Sequence, residues 1–436
     1  MYRKASEHLD RWLLAKKRKP LILRGARQVG KTWLIRDLAE RNGKQLIELN
    51  FERSPKLADY FASNDPGEIL RYLEAELNIR CDMENSILFL DEIQAKPDIL
   101  ASLRWFGEDM PELPMVAAGS LLDFILANHT FSMPVGRVTY HYLEPMSFHE
   151  FILASGNEQL YRLLNETRLE TPLPSTLHET CIDLYFEYTR IGGMPEAVSE
   201  WYASKDPAAC VKVQQDLLAT LRDDFNKYSD RINTDLLTDV LHSVPRQLGG
   251  KFILSRVNES SRSADIKRSL DMLGKARVCH TICHTSANGI PLGAESNNKF
   301  FKVIMMDTAF ISVQLGLSRL SLGEAQNFVF QNRGPMAEQY VGQHIRAFQS
   351  LAEDPSLYYW QRTGGRLGEI DYIIQHKTAV VPVEIKSGAR GSMKSLHQFM
   401  FDKKLDLAVR VDQNPHSLSS LRVKTTLGDS VEYRLL

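Results

Sequence analysis

Four short apolar runs mark the N-terminal third of the chain: "KPLILRG", "KQLIELNFE", "ENSILFLDEIQ" and "LPMVAAGS". They are continuous rather than alternating, as strands covered on both faces must be. Between the first two, "TWLIRDLAERNG" repeats at helical spacing and stops at Gly43. Residues 5–17 predict a further amphipathic helix. Strands alternating with helices predict a parallel sheet clothed on both sides. From Ser147 to Val198 the pattern is mostly helical. It is helical again over 206–275 and closes in a strand pair that runs to about Asp307. The loop "GLSRLSLGEAQN" leads into "NRGPMAEQYVGQHI". From there the predicted order is helix, strand, strand, strand, helix, strand.

At 436 residues the chain is too long for one core, so two to three domains are expected. Its 53 Lys plus Arg nearly balance 54 Asp plus Glu. That argues against a surface coated with charge for nucleic acid, though a local basic groove stays open. No apolar run approaches the ~18 residues that span a membrane, and the N-terminus has no signal-peptide core. Five cysteines, an odd number, suggest reduced thiols and a cytoplasmic location. "CHTICH" invites a zinc reading. On a strand, however, Cys279 and Cys283 would stand roughly 13 Å apart, too far for one tetrahedral ion.

Chemistry enters with "GARQVGKT", which fits G-x-x-x-x-G-K-[ST] with a strand before it and a helix after it. Glycines let the loop curl so that its N–H groups face phosphate oxygens, and the helix N-terminus adds partial positive charge. The expected nucleotide-binding set is Gly25, Ala26, Arg27, Gln28, Val29, Gly30, Lys31, Thr32 and Trp33. Lys31 would reach the β- and γ-phosphates, and Thr32 would ligate Mg²⁺. In "SILFLDE", Asp91 ends a buried strand where it can hold Mg²⁺ through water. Glu92 is placed to polarise the attacking water. Ser120 follows the next strand and would face the γ-phosphate, or else cap the helix expected at "LLDFIL". Arg137 is a candidate for reaching a phosphate, its own or a neighbour's, against the plain reading of a solvated arginine.

The first ~200 residues resemble the AAA-type ATPases of the prokaryotic STAND-related clade. "LRGARQVGKT", "LFLDEIQ", "AAGS", "GR…LEPMSFHEF" and "GGMPEAV" stand in the order that family shows. The resemblance implies that Gly193 and Pro195 touch the adenine. From the residues alone, "GGMP" is only a turn.

Residues 251–291 look like a winged helix-turn-helix. Ser263 would cap a helix built on Ile266, Leu270 and Leu273, Gly274 would stop it, and a β-hairpin would follow as the wing. Arg262, Lys267 and Arg268 could meet DNA phosphates, or the module could serve as packing. The last stretch resembles the restriction-endonuclease fold with its PD-(D/E)xK motif. Glu338 lies on the opening helix, Asp371 in "GEIDYII", and Glu384 and Lys386 two apart on "VPVEIKSG", on one strand face. The carboxylates would gather a divalent metal and Lys386 would orient or activate water.

End to end, the chain resembles prokaryotic AAA ATPases of obscure role that carry a nuclease-like C-terminal domain. The expected fold class is α/β: a P-loop NTPase domain over 1–200, a helical and winged-helix region over 201–330, and a nuclease-like domain over 331–436. ATP and Mg²⁺ are the expected cofactors. DNA and a second copy of the chain are the candidate partners, and no membrane is expected. One reading is an ATPase coupled to a nuclease-like domain acting on or near DNA. The other is an ATP-driven switch whose C-terminal domain binds without cutting.

Overall fold

The structure, a computed structural model, describes residues 2–120, 122, 136–226, 233–316, 333–362, 368–388 and 391–436. Apart from Leu122 and Gly316, the stretches "LLDFIL" and "GLSRLSLGEAQN" lie outside the described residues. The chain forms two compact units. The first comprises Met1–Met146, Lys275–Val278 and Gln349–Asp354. The second comprises Ser147–Gly274, Cys279–Phe348 and Pro355–Leu436.

In the first unit, β1 (Leu21–Gly25), β2 (Gln45–Asn50), β3 (Ser86–Asp91), β4 (Met115–Gly119) and β5 (Thr139–Leu143) form a sheet in the order β2-β3-β4-β1-β5. Every pairing is parallel. All residues of β3 and β4 are buried, which is why their sequences do not alternate. On one face Ile47, Leu49, Leu88, Leu90 and Ala117 join Phe61, Ile69, Leu73, Leu103 and Phe106 in one core. The Pro66–Leu77 helix in that layer starts where Asp65 accepts from the Gly67 and Glu68 N–H groups. A parallel sheet brings all its strand C-termini to one edge, where open α/β folds bind ligands.

The second unit opens with helices Phe148–Ala154, Glu158–Glu166, Ser175–Ile191, Pro195–Ser204, Pro207–Asn226, Thr234–Arg246 and Ser263–Lys275. Its eight-stranded mixed sheet contains β6 (Cys279–Thr285), β7 (Ser296–Met305), β8 (Leu357–Gln361), β9 (Glu369–His376), β10 (Ala379–Ile385), β11 (Leu407–Val411), β12 (Ser419–Lys424) and β13 (Ser430–Leu435). The order is β12-β13-β11-β10-β9-β8-β6-β7. One side of β9 packs Ile370 and Ile373 against Leu396, Phe399 and Met400 of the Lys394–Lys403 helix. On the other, Tyr372 meets Ala337 and Val341 of the Arg333–Phe348 helix.

The β6–β7 hairpin does not stand alone as a wing. β6 pairs in parallel with β8 through Ile282 and Leu357, so the hairpin is the margin of the C-terminal sheet. The residues require it: the second half of β7, Phe301–Met305, is buried throughout. Among the described residues no helix is long and apolar enough to cross a membrane. All five cysteines are free. Cys279 and Cys283 lie along β6, and burial pushes the Cys279 thiol up to about 12.

Candidate functional site

The loop between β1 and the Lys31–Arg41 helix has the backbone its glycines allow. Gly30 takes φ +94°, closed to most side chains. A Cβ on Gly25 would stand 2.5 Å from the Leu143 carbonyl oxygen of β5. Gln28, at φ +62°, adopts the left-handed region without being glycine. Lys31 is buried, and its ammonium donates to the Gly25 and Ala26 carbonyls at 3.0 and 2.8 Å. Burial lowers its pKa to about 8, against the opposing pull of Glu92 and Asp91. Trp33, one turn into the helix, is exposed. Behind the loop, the buried Arg3 donates to the Val29 and Glu144 carbonyls, both at 2.7 Å.

Asp91 stands across from this loop. Thr32 donates its hydroxyl to the two Asp91 oxygens at 3.3 and 3.2 Å, and Asn50 at the end of β2 donates to one of them at 3.3 Å. Burial, then Glu92, raises the Asp91 pKa to about 6. A threonine hydroxyl beside a strand-end carboxylate is the donor set of a Mg²⁺ that also touches phosphate, so these residues fit that ion. Glu92 follows at φ +50°, a backbone that costs of order 1–3 kcal/mol in a non-glycine residue. Gln94 donates its amide to the Glu92 carboxylate. β4 runs between β1 and β3, which carries Ser120 to the same edge as the loop and Asp91. The Ser120 hydroxyl is buried with no hydrogen-bond partner among the described residues. Arg137 is half exposed and pairs with Glu108 at 3.2 Å.

Gly193 and Pro195 belong to the second unit. Pro195 opens its helix, and the Gly193 N–H donates to Asp307 at 2.6 Å. Asp307 is wholly buried and raised by burial to about 6. It also accepts from Ala309 N at 2.8 Å.

In the second unit Glu338, Asp371, Glu384 and Lys386 act on one another together with two residues outside the motif. Lys302, from β7, has a buried side chain whose ammonium pairs with Glu338 at 2.9 Å and with Glu369 of β9. Burial alone would lower the lysine's pKa, but the two glutamates hold it above its ordinary value. Lys386 pairs with Glu384 at 2.6 Å, and Asp371 accepts from Ile385 N at 2.7 Å. Four carboxyls thus face two ammoniums, and burial is the main influence on the acids. Burial, with Asp371 adding, raises Glu384 to about 7. Burial raises Glu338 to about 8 against the pull of Lys302, and it raises Asp371 as well. Among the described residues no group of three or more His, Cys, Asp or Glu is placed to hold a metal ion. The donor set expected for a divalent ion does not fit one here, because the Lys302 ammonium is on Glu338 and the Lys386 ammonium on Glu384. Among the proposed DNA contacts, Lys267 pairs with Asp271 at 2.5 Å and covers the Phe301 ring.

Sequence reasoning missed Arg3, Asn50, Gln94, Asp307, Lys302 and Glu369. Asn50 and Gln94 carried a usable signal, since each adjoins the strand end or carboxylate it serves. Nothing local marks Lys302.

Residues 17–152 match the family of the AAA domain. Residues 182–321 and 333–420 match two domains of unknown function. No curated protein matches the sequence. Similar solved structures include the Aeropyrum pernix ORC2 protein in ADPNP–ADP complexes, at 13% identity and TM-score 0.38, covering 73% of this chain and 93% of that one. The Aeropyrum pernix ORC1 protein in complex with DNA scores 0.27 at 14% identity, with 73% and 92% covered. C. elegans PCH-2 scores 0.28 at 14% identity, with 47% and 62% covered. Scores this low support no argument about function. The family match and the geometry of the loop, Thr32 and Asp91 agree: residues 17–152 are an AAA-type P-loop ATPase domain.

Proposed function

We propose that the chain is a Mg²⁺-dependent ATPase whose hydrolysis sets the state of a C-terminal binding module. The observation that carries the first half is the set Lys31, Thr32, Asp91 and Glu92 at one sheet edge. Lys31 offers an ammonium to the terminal phosphates. Thr32 and Asp91 would hold Mg²⁺, which supplies charge neutralisation at the β- and γ-phosphates. Glu92, steadied by Gln94, is the group that takes a proton from the attacking water. Ser120 offers its unpartnered hydroxyl to the γ-phosphate. Gly193 and Pro195 remain the proposed adenine contacts, and Arg137 a proposed contact to a neighbouring copy's nucleotide. ATP turnover of the full chain tests the reading. Lys31→Ala is expected to abolish nucleotide binding. Glu92→Gln is expected to keep binding and to lose at least ~100-fold in turnover. Undiminished turnover in Glu92→Gln would assign the water-activating role elsewhere.

For the C-terminal domain, Lys302 favours the binding module over the nuclease. Its ammonium already neutralises Glu338 and Glu369, the service a divalent ion would give. Lys302→Met in the full chain is therefore expected to gain Mn²⁺ affinity at least ~10-fold over wild type, read by paramagnetic resonance of free Mn²⁺. Equal affinities, with DNA cut by the wild-type chain but not by Lys386→Ala, would restore the nuclease reading.

A further inference from the structure

A second site lies in the helical part of the second unit, built from residues no motif singles out. The helices Pro207–Asn226, Thr234–Arg246 and Thr308–Gln314 line a cavity of about 360 Å³ that is open to solvent. Arg222, His242 and Arg246 contribute its basic wall, and Gln314 and Val313 face it from the third helix with Leu218 beside them. That volume is at the small end of ligand sites, which run from ~300 to ~1,000 Å³.

Two features mark the cavity as built for a ligand. The first is charge. Arg222 donates to His242 Nε2 at 2.6 Å, which requires that nitrogen to be unprotonated. Burial lowers the His242 pKa, and the charges of Arg222 and Arg246 lower it further, so the imidazole stays neutral. Among the described residues no carboxylate forms an ion pair with either arginine. Asp239, one turn before His242, accepts from Asn258 at 2.8 Å instead. The wall therefore presents two arginines that, among the described residues, pair with no carboxylate, the nearest acid acting on His242 being Asp239. The second feature is a set of unmet hydrogen bonds. Arg222 Nε and both amide atoms of Gln314 are buried with no partner among the described residues. A buried polar atom left unsatisfied is costly, so each favours a ligand that meets it.

We infer that this cavity binds a small phosphate monoester. A phosphate monoester carries close to two negative charges and three acceptor oxygens, which matches two planar guanidinium forks. Gln314 offers a donor and an acceptor to a hydroxyl on the carbon skeleton, and Leu218 and Val313 cover that skeleton's apolar side. The site does not depend on the ATPase reading, because none of its residues belongs to the P-loop unit.

Calorimetry on the full chain tests it. The Lys31→Ala background removes phosphate uptake by the P-loop, and glycerol 3-phosphate is the probe, with succinate as a dianion lacking phosphate. The expected result is saturable glycerol phosphate binding, at least ten-fold weaker in Arg246→Ala and in Gln314→Leu. Arg246 is exposed, so its replacement should leave the fold intact. Absence of saturable binding overturns the site, and so does binding indifferent to both substitutions. Tighter binding of succinate than of glycerol phosphate overturns the phosphate assignment.

Discussion

The most sensitive arrangement at the scale of single residues is the one around Glu92. Its carboxylate is aimed by two things, a left-handed backbone and the Gln94 amide. Gln94 is itself held against Gly119, the last residue of β4: a Cβ there would collide with the Gln94 side-chain oxygen. Gly119→Ala must therefore displace Gln94 and release Glu92, while Lys31 and Thr32 stay in place. The expected outcome is a loss of roughly 10- to 100-fold in kcat with KM for ATP little changed, since misplacing a catalytic group by about 1 Å costs that much. Steady-state kinetics decide it; a rise in KM at constant kcat would mean that Gly119 serves binding instead. The P-loop lysine, threonine and strand-end acid were legible because their roles need neighbours in sequence, a strand before and a helix after. Lys302 was not. It lies in "NNKFFKVIMM", where a lysine before an apolar run reads as a solvated strand end. Glu338 reaches it only because β7 and the Arg333–Phe348 helix pack together, and Glu369 comes from β9.

Among the elements, the parallel strands β1 to β4 were readable from their continuous apolar runs. β5, β12 and β13 were not. β5 is five residues of "TYHYL", whose polar groups disguise its burial. β12 and β13 form an exposed edge in which few residues are buried. The joint between Phe148–Ala154 and Arg333–Phe348 was equally invisible, because it depends on one imidazole. His344 Nε2 accepts from Phe148 N at 2.8 Å, and Nδ1 donates to the Tyr340 carbonyl at 2.7 Å. The bond accepted at Nε2 needs the neutral ring, and burial lowers its pKa to about 4 from 6.5. The unfolded chain then binds the extra proton between pH 6.5 and 4. Stability from this group is full above 6.5 and falls as pH drops toward 4, by about 3 kcal/mol at most. Urea unfolding of the second unit at pH 7 and pH 4.5 should show that loss in wild type and a smaller one in His344→Phe. The same loss in both proteins would place the acid sensitivity in other groups.

At the scale of the whole molecule, the P-loop unit is not a contiguous piece of chain. Residues 1–200 are the natural cut suggested by sequence, yet Lys275–Val278 and Gln349–Asp354 return to complete that unit. Tyr142 N, next to the end of β5, donates to the Leu351 carbonyl at 2.8 Å. Arg277 brings the larger contribution. Its side chain is buried, pairs with the equally buried Glu144 at 2.7 Å and with Asp354 at 3.0 Å, and covers the Tyr142 ring. Glu144 in turn accepts from Arg3 through its backbone, and Arg3 also holds the P-loop at Val29. Removing one partner of a buried ion pair leaves an uncompensated charge and costs about 3–5 kcal/mol. Arg277→Met in the full chain should therefore destabilise the P-loop unit by that amount and weaken ATP binding with it. A chain ending at residue 200 should fare worse, since it also lacks the Leu351 contact. Fluorescent-nucleotide binding followed through a urea titration reads both variants. A chain of residues 1–200 that binds ATP and resists urea as the full chain does would show the returning segments to be dispensable. The expected failure would mean that the polypeptide must be made past residue 354 before its ATPase unit is complete.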